Sequence, residues 1–147
     1  MGQLTIPDAA IVYIDTSIVI YTVENHPDYW QLLQPLWSKL RNREVQIFSS
    51  ELLILEALVR PIRDNNQQLL DDYERFLSLG GIRLIPINQT IVREAAQLRA
   101  TSNLRTPDAI HVATAINTSS TLFLSNDRRL PPIPNLSVIV LQDVLES

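Results

Sequence analysis

Five continuous apolar runs, at residues 11–14, 45–48, 82–85, 121–124 and 138–141, constrain this chain more than any other feature. Each is short and lacks the apolar–polar alternation of a strand with one wet face, so each reads as a strand buried on both sides. Helical patterns lie between them. Trp30, Leu33, Trp37 and Leu40 recur at intervals of three and four, and Pro35 is placed to interrupt that pattern and open a second helix. Leu69, Leu70, Tyr73, Phe76 and Leu77 give another helix. It is expected to stop at Gly80 and Gly81, because glycine takes the left-handed conformation that ends helices, and Asp71 stands one turn before Arg75 for an ion pair. Residues 49–61 read as a helix with a serine cap that ends near Pro61. Strands alternating with helices predict an α/β fold with a central, mostly parallel sheet of about five strands flanked by helices.

A length of 147 residues suits a single domain over 1–147, with residues 1–10 as an N-terminal extension, and a 46% hydrophobic content is enough to bury a core. The linker-like stretches 64–68 and 130–134 are too short to separate domains, and there is no internal repeat. No apolar run approaches the roughly 20 residues that span a bilayer. The start lacks a basic region followed by an apolar one, so the chain is expected to be cytoplasmic. The absence of cysteine excludes disulfides, thiolate chemistry and cysteine zinc sites, and leaves His26 and His111 as the nitrogen ligands. A metal bound here would be a hard one, held by oxygen.

Four acids sit where such a metal could be held. Asp15 follows the first apolar run and Asp127 the fourth, which places both at the carboxyl edge of a parallel sheet, where open α/β folds bind ligands. Each also has an ordinary reading. Asp15, with Thr16 and Ser17, could cap a helix. Asp127, in Ser125-Asn126-Asp127, is common turn chemistry. Glu56 lies in an apolar helix, where a carboxylate is costly to bury unless it is paired or bound to metal, though a solvated glutamate remains open. Asp108 opens a helix in which Thr106 is a good cap and Pro107 fits the first turn, so interaction with the helix dipole accounts for it as well. His111 lies one turn from Asp108; on an alanine-rich helix, packing or a hydrogen bond is the favoured reading over a direct role. Two unit charges 4 Å apart repel by about 4 kcal/mol at an effective dielectric of 20, so converging acids call for a cation. Mg²⁺ or Mn²⁺ would neutralise them while keeping waters and contacting phosphate.

The net charge of −4 argues against nonspecific coating of nucleic acid but not against a nuclease. Eleven arginines stand against one lysine, Lys39, and arginine is the better fork for phosphate; local pairs such as Arg128 and Arg129 still read first as solvated surface. A phospho-receiver domain needs a lysine beyond a late strand, which the early Lys39 does not supply.

In this order the motifs resemble those of the PIN-domain ribonucleases, in particular the VapC-like toxins of toxin–antitoxin pairs, from about Ile11 to Leu141. The most specific piece is Leu104-Arg105-Thr106-Pro107-Asp108-Ala109-Ile110-His111-Val112-Ala113-Thr114-Ala115, which is similar to the family's third-acid motif. Asp15-Thr16-Ser17 is similar to the first motif, Glu56 with Arg60 and Pro61 to the second, and Ser125-Asn126-Asp127 to the last. The resemblance implies a PIN-like fold and Mg²⁺- or Mn²⁺-dependent endoribonuclease activity. It implies Asp15, Glu56, Asp108 and Asp127 as metal-binding acids, with Ser125 as a hydrogen-bonding partner. It also implies an RNA substrate, a homodimer and a cognate antitoxin. Ser125 stands where threonine is common and Leu130 where an aromatic is common, departures that bear on substrate more than on chemistry. The alternative is a catalytically silent PIN-like domain that binds RNA or a protein. Trp30, Trp37 and Tyr29 in the early helical region would suit an interface if exposed, although core packing is favoured.

Overall fold

The computed structural model describes residues 2–147. Five strands, β1 (Ile11–Ile14), β2 (Gln46–Ser50), β3 (Arg83–Ile85), β4 (Leu122–Ser125) and β5 (Ser137–Val140), form one sheet in the order β3-β2-β1-β4-β5. Every neighbouring pair is parallel. Among the described residues, eight helices connect and flank them: α1 (Thr16–Val23), α2 (Tyr29–Leu32), α3 (Gln34–Arg41), α4 (Leu52–Arg63), α5 (Gln67–Leu79), α6 (Gln89–Thr101), α7 (Thr106–Asn117) and α8 (Leu141–Glu146). No helix among the described residues is long and apolar enough to cross a membrane.

Side chains of successive strand residues point to opposite faces, and both faces here are apolar. Val12 and Ile14 of β1, Ile47 of β2 and Leu124 of β4 join one core with Ile18, Leu36, Leu53 and Tyr73 from helices α1, α3, α4 and α5. Tyr13, Phe48 and Phe123, which alternate with them, join a second core with Ile91 and Ala95 of α6 and Ala109, Val112 and Ala113 of α7. The small residues of α7 allow that helix to lie close to the sheet. With both faces covered, polar side chains on the central strands have room only at the strand ends. The chain turns to opposite sides of β1 to build β2 and β4, so the crevice at the carboxyl ends of β1 and β4 is the switch point where such sheets bind ligands.

Several local details differ from expectation. Helix α4 runs past Pro61 to Arg63, since a proline in the last turn forfeits one hydrogen bond and its ring is buried. Ser49 and Ser50 belong to β2 rather than to a cap, although Ser50 Oγ still accepts from the Leu52 amide at 3.1 Å. Arg75 pairs with Asp72, at 3.4 Å, and Asp71 instead accepts from Gln67, at 2.8 Å. Pro35 does open α3, and α5 ends at Gly80, followed by Gly81 at φ 83°. Tyr29 and Trp37 are buried in the first core, while Trp30 is exposed.

Two leucines test this division of inside from outside. Leu36 is 0% exposed and Leu79 is 78% exposed. Leu36→Ala is expected to cost about 2–5 kcal/mol and Leu79→Ala less than about 0.5 kcal/mol in urea unfolding. Equal costs would contradict the packing of α3 on the sheet.

Candidate active site

The last residue of β1 delivers the chain to Asp15, whose amide is tied to the Leu124 carbonyl of β4 at 3.3 Å. Asp15 is the N-cap of α1: its Oδ1 accepts from the Ser17 amide at 3.1 Å and from Ser17 Oγ at 2.6 Å. The capping reading is thus met, and the same carboxylate lines the cavity at the strand ends. Burial pushes its pKa up against the lowering effect of hydrogen bonds from Ser125 and Ser17.

On α4, Glu56 turns inward on the face of Leu53 and Ala57, away from the exposed Leu55 and Val59. Its Oε1 accepts from Thr16 Oγ1 at 2.7 Å and meets His111 Nε2 at 2.7 Å. The other ring nitrogen of His111, Nδ1, lies 2.6 Å from the hydroxyl of Tyr13. A neutral imidazole protonated on Nε2 satisfies both contacts: Nε2–H donates to the carboxylate, and Nδ1 accepts from the Tyr13 O–H. Burial pushes the Tyr13 phenol up, which keeps it a donor. Burial also opposes ionisation of Glu56, but the hydrogen bonds from His111 and Thr16 outweigh it and hold this carboxyl below its ordinary value.

Asp108 stands in the first turn of α7. The helix starts one residue earlier than a Thr106 cap would require: Arg105 is the N-cap, and Thr106 Oγ1 accepts from Arg99 Nη1 at 3.0 Å. Asp108 Oδ2 accepts from Arg105 Nε at 3.0 Å. After β4, Ser125 is fully buried and its Oγ accepts from the Asp127 amide at 3.1 Å. Asp127 also closes a turn of its own, accepting the Arg129 amide at 2.9 Å, and its two oxygens take Arg129 Nε at 2.9 Å and Nη2 at 3.1 Å. The Arg129 fork is the main reason that the Asp127 carboxyl lies below its ordinary value.

All five residues expected from sequence, Asp15, Glu56, Asp108, Ser125 and Asp127, line one cavity of about 350 Å³. His111, Thr16, Arg105 and Arg129 line it too. Among the described residues, no three acids or histidines stand close enough to hold a metal ion as placed. The outer pair, Asp108 and Asp127, is turned toward arginine. Sequence reasoning missed Tyr13, whose only signal was a hydroxyl-bearing residue within an aliphatic strand, and it read Arg105 and Arg129 as motif and surface residues. His111 proves to be hydrogen-bonded and buried, as its helix suggested, and its partner is Glu56.

Residues 12–136 match the family model described as PIN domain. Among solved structures, the chain is similar to VapBC2 from Rickettsia felis bound to a DNA fragment from their promoter, with a TM-score of 0.70 and 19% identity, covering 88% of this chain and 98% of that one. A toxin-antitoxin complex from Klebsiella pneumoniae gives a TM-score of 0.63 at 21% identity, covering 85% and 94%. DNA-bound VapBC from Salmonella typhimurium gives 0.62 at 14%, covering 89% and 98%. Among curated proteins there is no match.

The two inner carboxylates should respond oppositely to neutralisation. Asp15 has a folded pKa above its unfolded value near 3.9, so the folded state holds the extra proton, and stability falls as pH rises through that window. Asp15→Asn in EDTA is thus expected to be more stable than the parent chain at pH 7, with the gap closing below about pH 4. Glu56 has a folded pKa below its unfolded value near 4.3; its contribution is present above that value and lost as pH falls through the folded one. Glu56→Gln is therefore expected to be less stable than the parent at pH 7 and to converge with it in acid. Urea unfolding across pH measures both, and a destabilised Asp15→Asn at neutral pH would contradict the first assignment.

Proposed function

The chain belongs to the PIN-domain family, and on that footing we propose that it is a divalent-metal-dependent endoribonuclease that hydrolyses RNA phosphodiester bonds. The observation that carries this reading is the gathering of Asp15, Glu56, Asp108 and Asp127 around one cavity at the switch point of a parallel sheet. The donor set is all oxygen, which suits Mg²⁺ or Mn²⁺. Asp15 supports the same reading, since a buried carboxylate that resists ionisation gains from a cation beside it. When bound, such a cation supplies the Lewis acidity that makes water a nucleophile near neutral pH and offsets charge on the leaving oxygen.

The protein's own groups position these donors. Ser17 and Ser125 fix Asp15, and Thr16 and His111 fix Glu56 in its ionised form. Ser125 also holds the amide of Asp127 and so sets the turn that carries this acid. In the reaction, a water oxygen bonds to phosphorus as one P–O ester bond breaks, and the departing oxygen takes up a proton.

The biological role proposed is that of the toxin in a toxin–antitoxin pair, with a cognate antitoxin and a homodimeric state. Support comes from the likeness to the complexes from Rickettsia felis and Klebsiella pneumoniae. The apolar residues Leu55, Val59 and Ile62, exposed on α4 at spacings of four and three, suit a protein partner. A catalytically silent domain that binds RNA or protein is the second reading, favoured by the engagement of Asp108 and Asp127 with arginine.

Cleavage of single-stranded RNA with Mn²⁺, followed on gels, separates the two. Asp15→Asn and Asp108→Asn are expected to reduce cleavage to background while remaining folded, and Mn²⁺ titration by calorimetry is expected to lose its heat in Asp15→Asn. Equal cleavage by both variants and the parent would sink the hydrolytic reading. His111→Ala, which leaves every proposed ligand in place but frees Glu56, is expected to lower Mn²⁺ affinity or activity about 10- to 100-fold.

A further inference from the structure

We propose that Arg105 and Arg129 form a two-arginine clamp that holds the outer carboxylates in the resting protein and passes to RNA phosphate when substrate binds. This rests on the reading of the cavity as a site for RNA hydrolysis. The two arginines come from different parts of the chain, Arg105 at the start of α7 and Arg129 beyond β4, yet both line the cavity that holds the four acids. They also share a smaller adjoining pocket with Asp108, Asp127 and Leu130, so they stand together at its rim. Each is more than half exposed, at 64% and 73% of its side chain, whereas the carboxylates they hold are only 24% and 23% exposed. The guanidiniums thus form the outer layer of the site and the carboxylates the inner one.

Their hydrogen bonding is incomplete. A guanidinium has five N–H donors. Arg129 directs its Nε and Nη2 to Asp127, and Arg105 directs Nε to Asp108. Donors on both therefore remain for a second acceptor. Arginine presents them in a planar fork that matches a phosphate.

Charge supplies the reason for a handover. Four carboxylates against two guanidiniums leave the lining negative, which repels RNA. A divalent cation held by the same acids would cancel that excess and weaken the hold of Asp108 and Asp127 on their arginines. Arg105 and Arg129 then become the positive groups nearest an incoming phosphodiester. Asp127 also feels a small part of the charge of Arg105, and Arg129 of that of Asp108, in keeping with their common pocket. The sole lysine, Lys39, is paired elsewhere with Asp8 and cannot substitute.

The clamp predicts opposite effects on the two ligands. With Ca²⁺ in place of Mn²⁺, and the RNA checked for integrity on gels, a short labelled single-stranded RNA is expected to bind Arg105→Ala and Arg129→Ala about tenfold more weakly than the parent. The slope of log affinity against log salt is expected to shrink by about 0.7 for each arginine lost. In the absence of RNA, calorimetry is expected to find Mn²⁺ bound more tightly by Arg129→Ala, because a competitor for Asp127 is gone. Arg41→Ala, an exposed arginine on α3 away from the cavity, is the control and is expected to change neither. Arg129→Lys, which keeps the charge but loses the fork, is expected to retain the salt slope with reduced affinity. If the parent binds RNA and both alanine variants match it in affinity and slope, the clamp is wrong and the hydrolytic reading stands. Tighter Mn²⁺ binding with unchanged RNA affinity would also overturn it. A parent chain that binds no RNA would overturn both.

Discussion

Four carboxylates line one cavity, and the structure near them is organised by how each of these charges is met. Each acid is handled differently. Burial discourages Asp15 from ionising, His111 and Thr16 stabilise the charge on Glu56, and Arg105 and Arg129 neutralise Asp108 and Asp127. The inner pair is thus held by hydroxyl, amide and imidazole hydrogen bonds and the outer pair by guanidiniums. A site filled with arginine throughout would be stable and inert; one without arginine would be acidic to its mouth and closed to polyanions.

The sheet makes this concentration of charge possible. Because β1, β2 and β4 bury residues of both parities, the interior accepts little polarity, and the acids gather where the strands end. The amide of Asp15 is bonded to the carbonyl of Leu124, so the two strand ends that carry Asp15 and Ser125 cannot drift apart without breaking the β1–β4 pairing. Backbone hydrogen bonding thereby fixes the floor of the cavity, while helices α4 and α7 bring in its walls.

Much of this was legible in the residue order. The doubly apolar runs marked the five strands to within a residue or two, and Pro35 and Gly81 marked helix boundaries by their fixed or permissive backbone angles. Asp15 and Asp127 could be placed at an edge because the runs before them had to be buried. Other features depend on groups far apart in sequence and left no local trace. The register of β1 between β2 and β4 is one. The approach of Tyr13 to His111 is another, across 98 positions. Local rules also erred where tertiary packing offset their cost: Pro61 stays inside its helix because its ring is buried, and Thr106 is not a cap because Arg99 occupies its hydroxyl. Arg105 and Arg129 were visible as residues, but their role depends on two loops meeting over one cavity.

The line from Tyr13 through His111 to Glu56 has a consequence for how such a sequence can diverge. Tyr13 and His111 belong to the layer between the sheet and α7, whereas Glu56 is carried by α4, which packs on the opposite layer. Three side chains therefore tie the two sides of the sheet together at its polar rim. A substitution that loosens α7 would displace a carboxylate rooted in the other layer, so variation in one interior is not independent of variation in the other. At position 13 an aliphatic residue would keep the site apolar but lose the stacking on Phe123, and it would leave Nδ1 of a buried imidazole without its hydrogen-bond partner. The tolerated alphabet there is set both by that packing and by an acid that Tyr13 never touches.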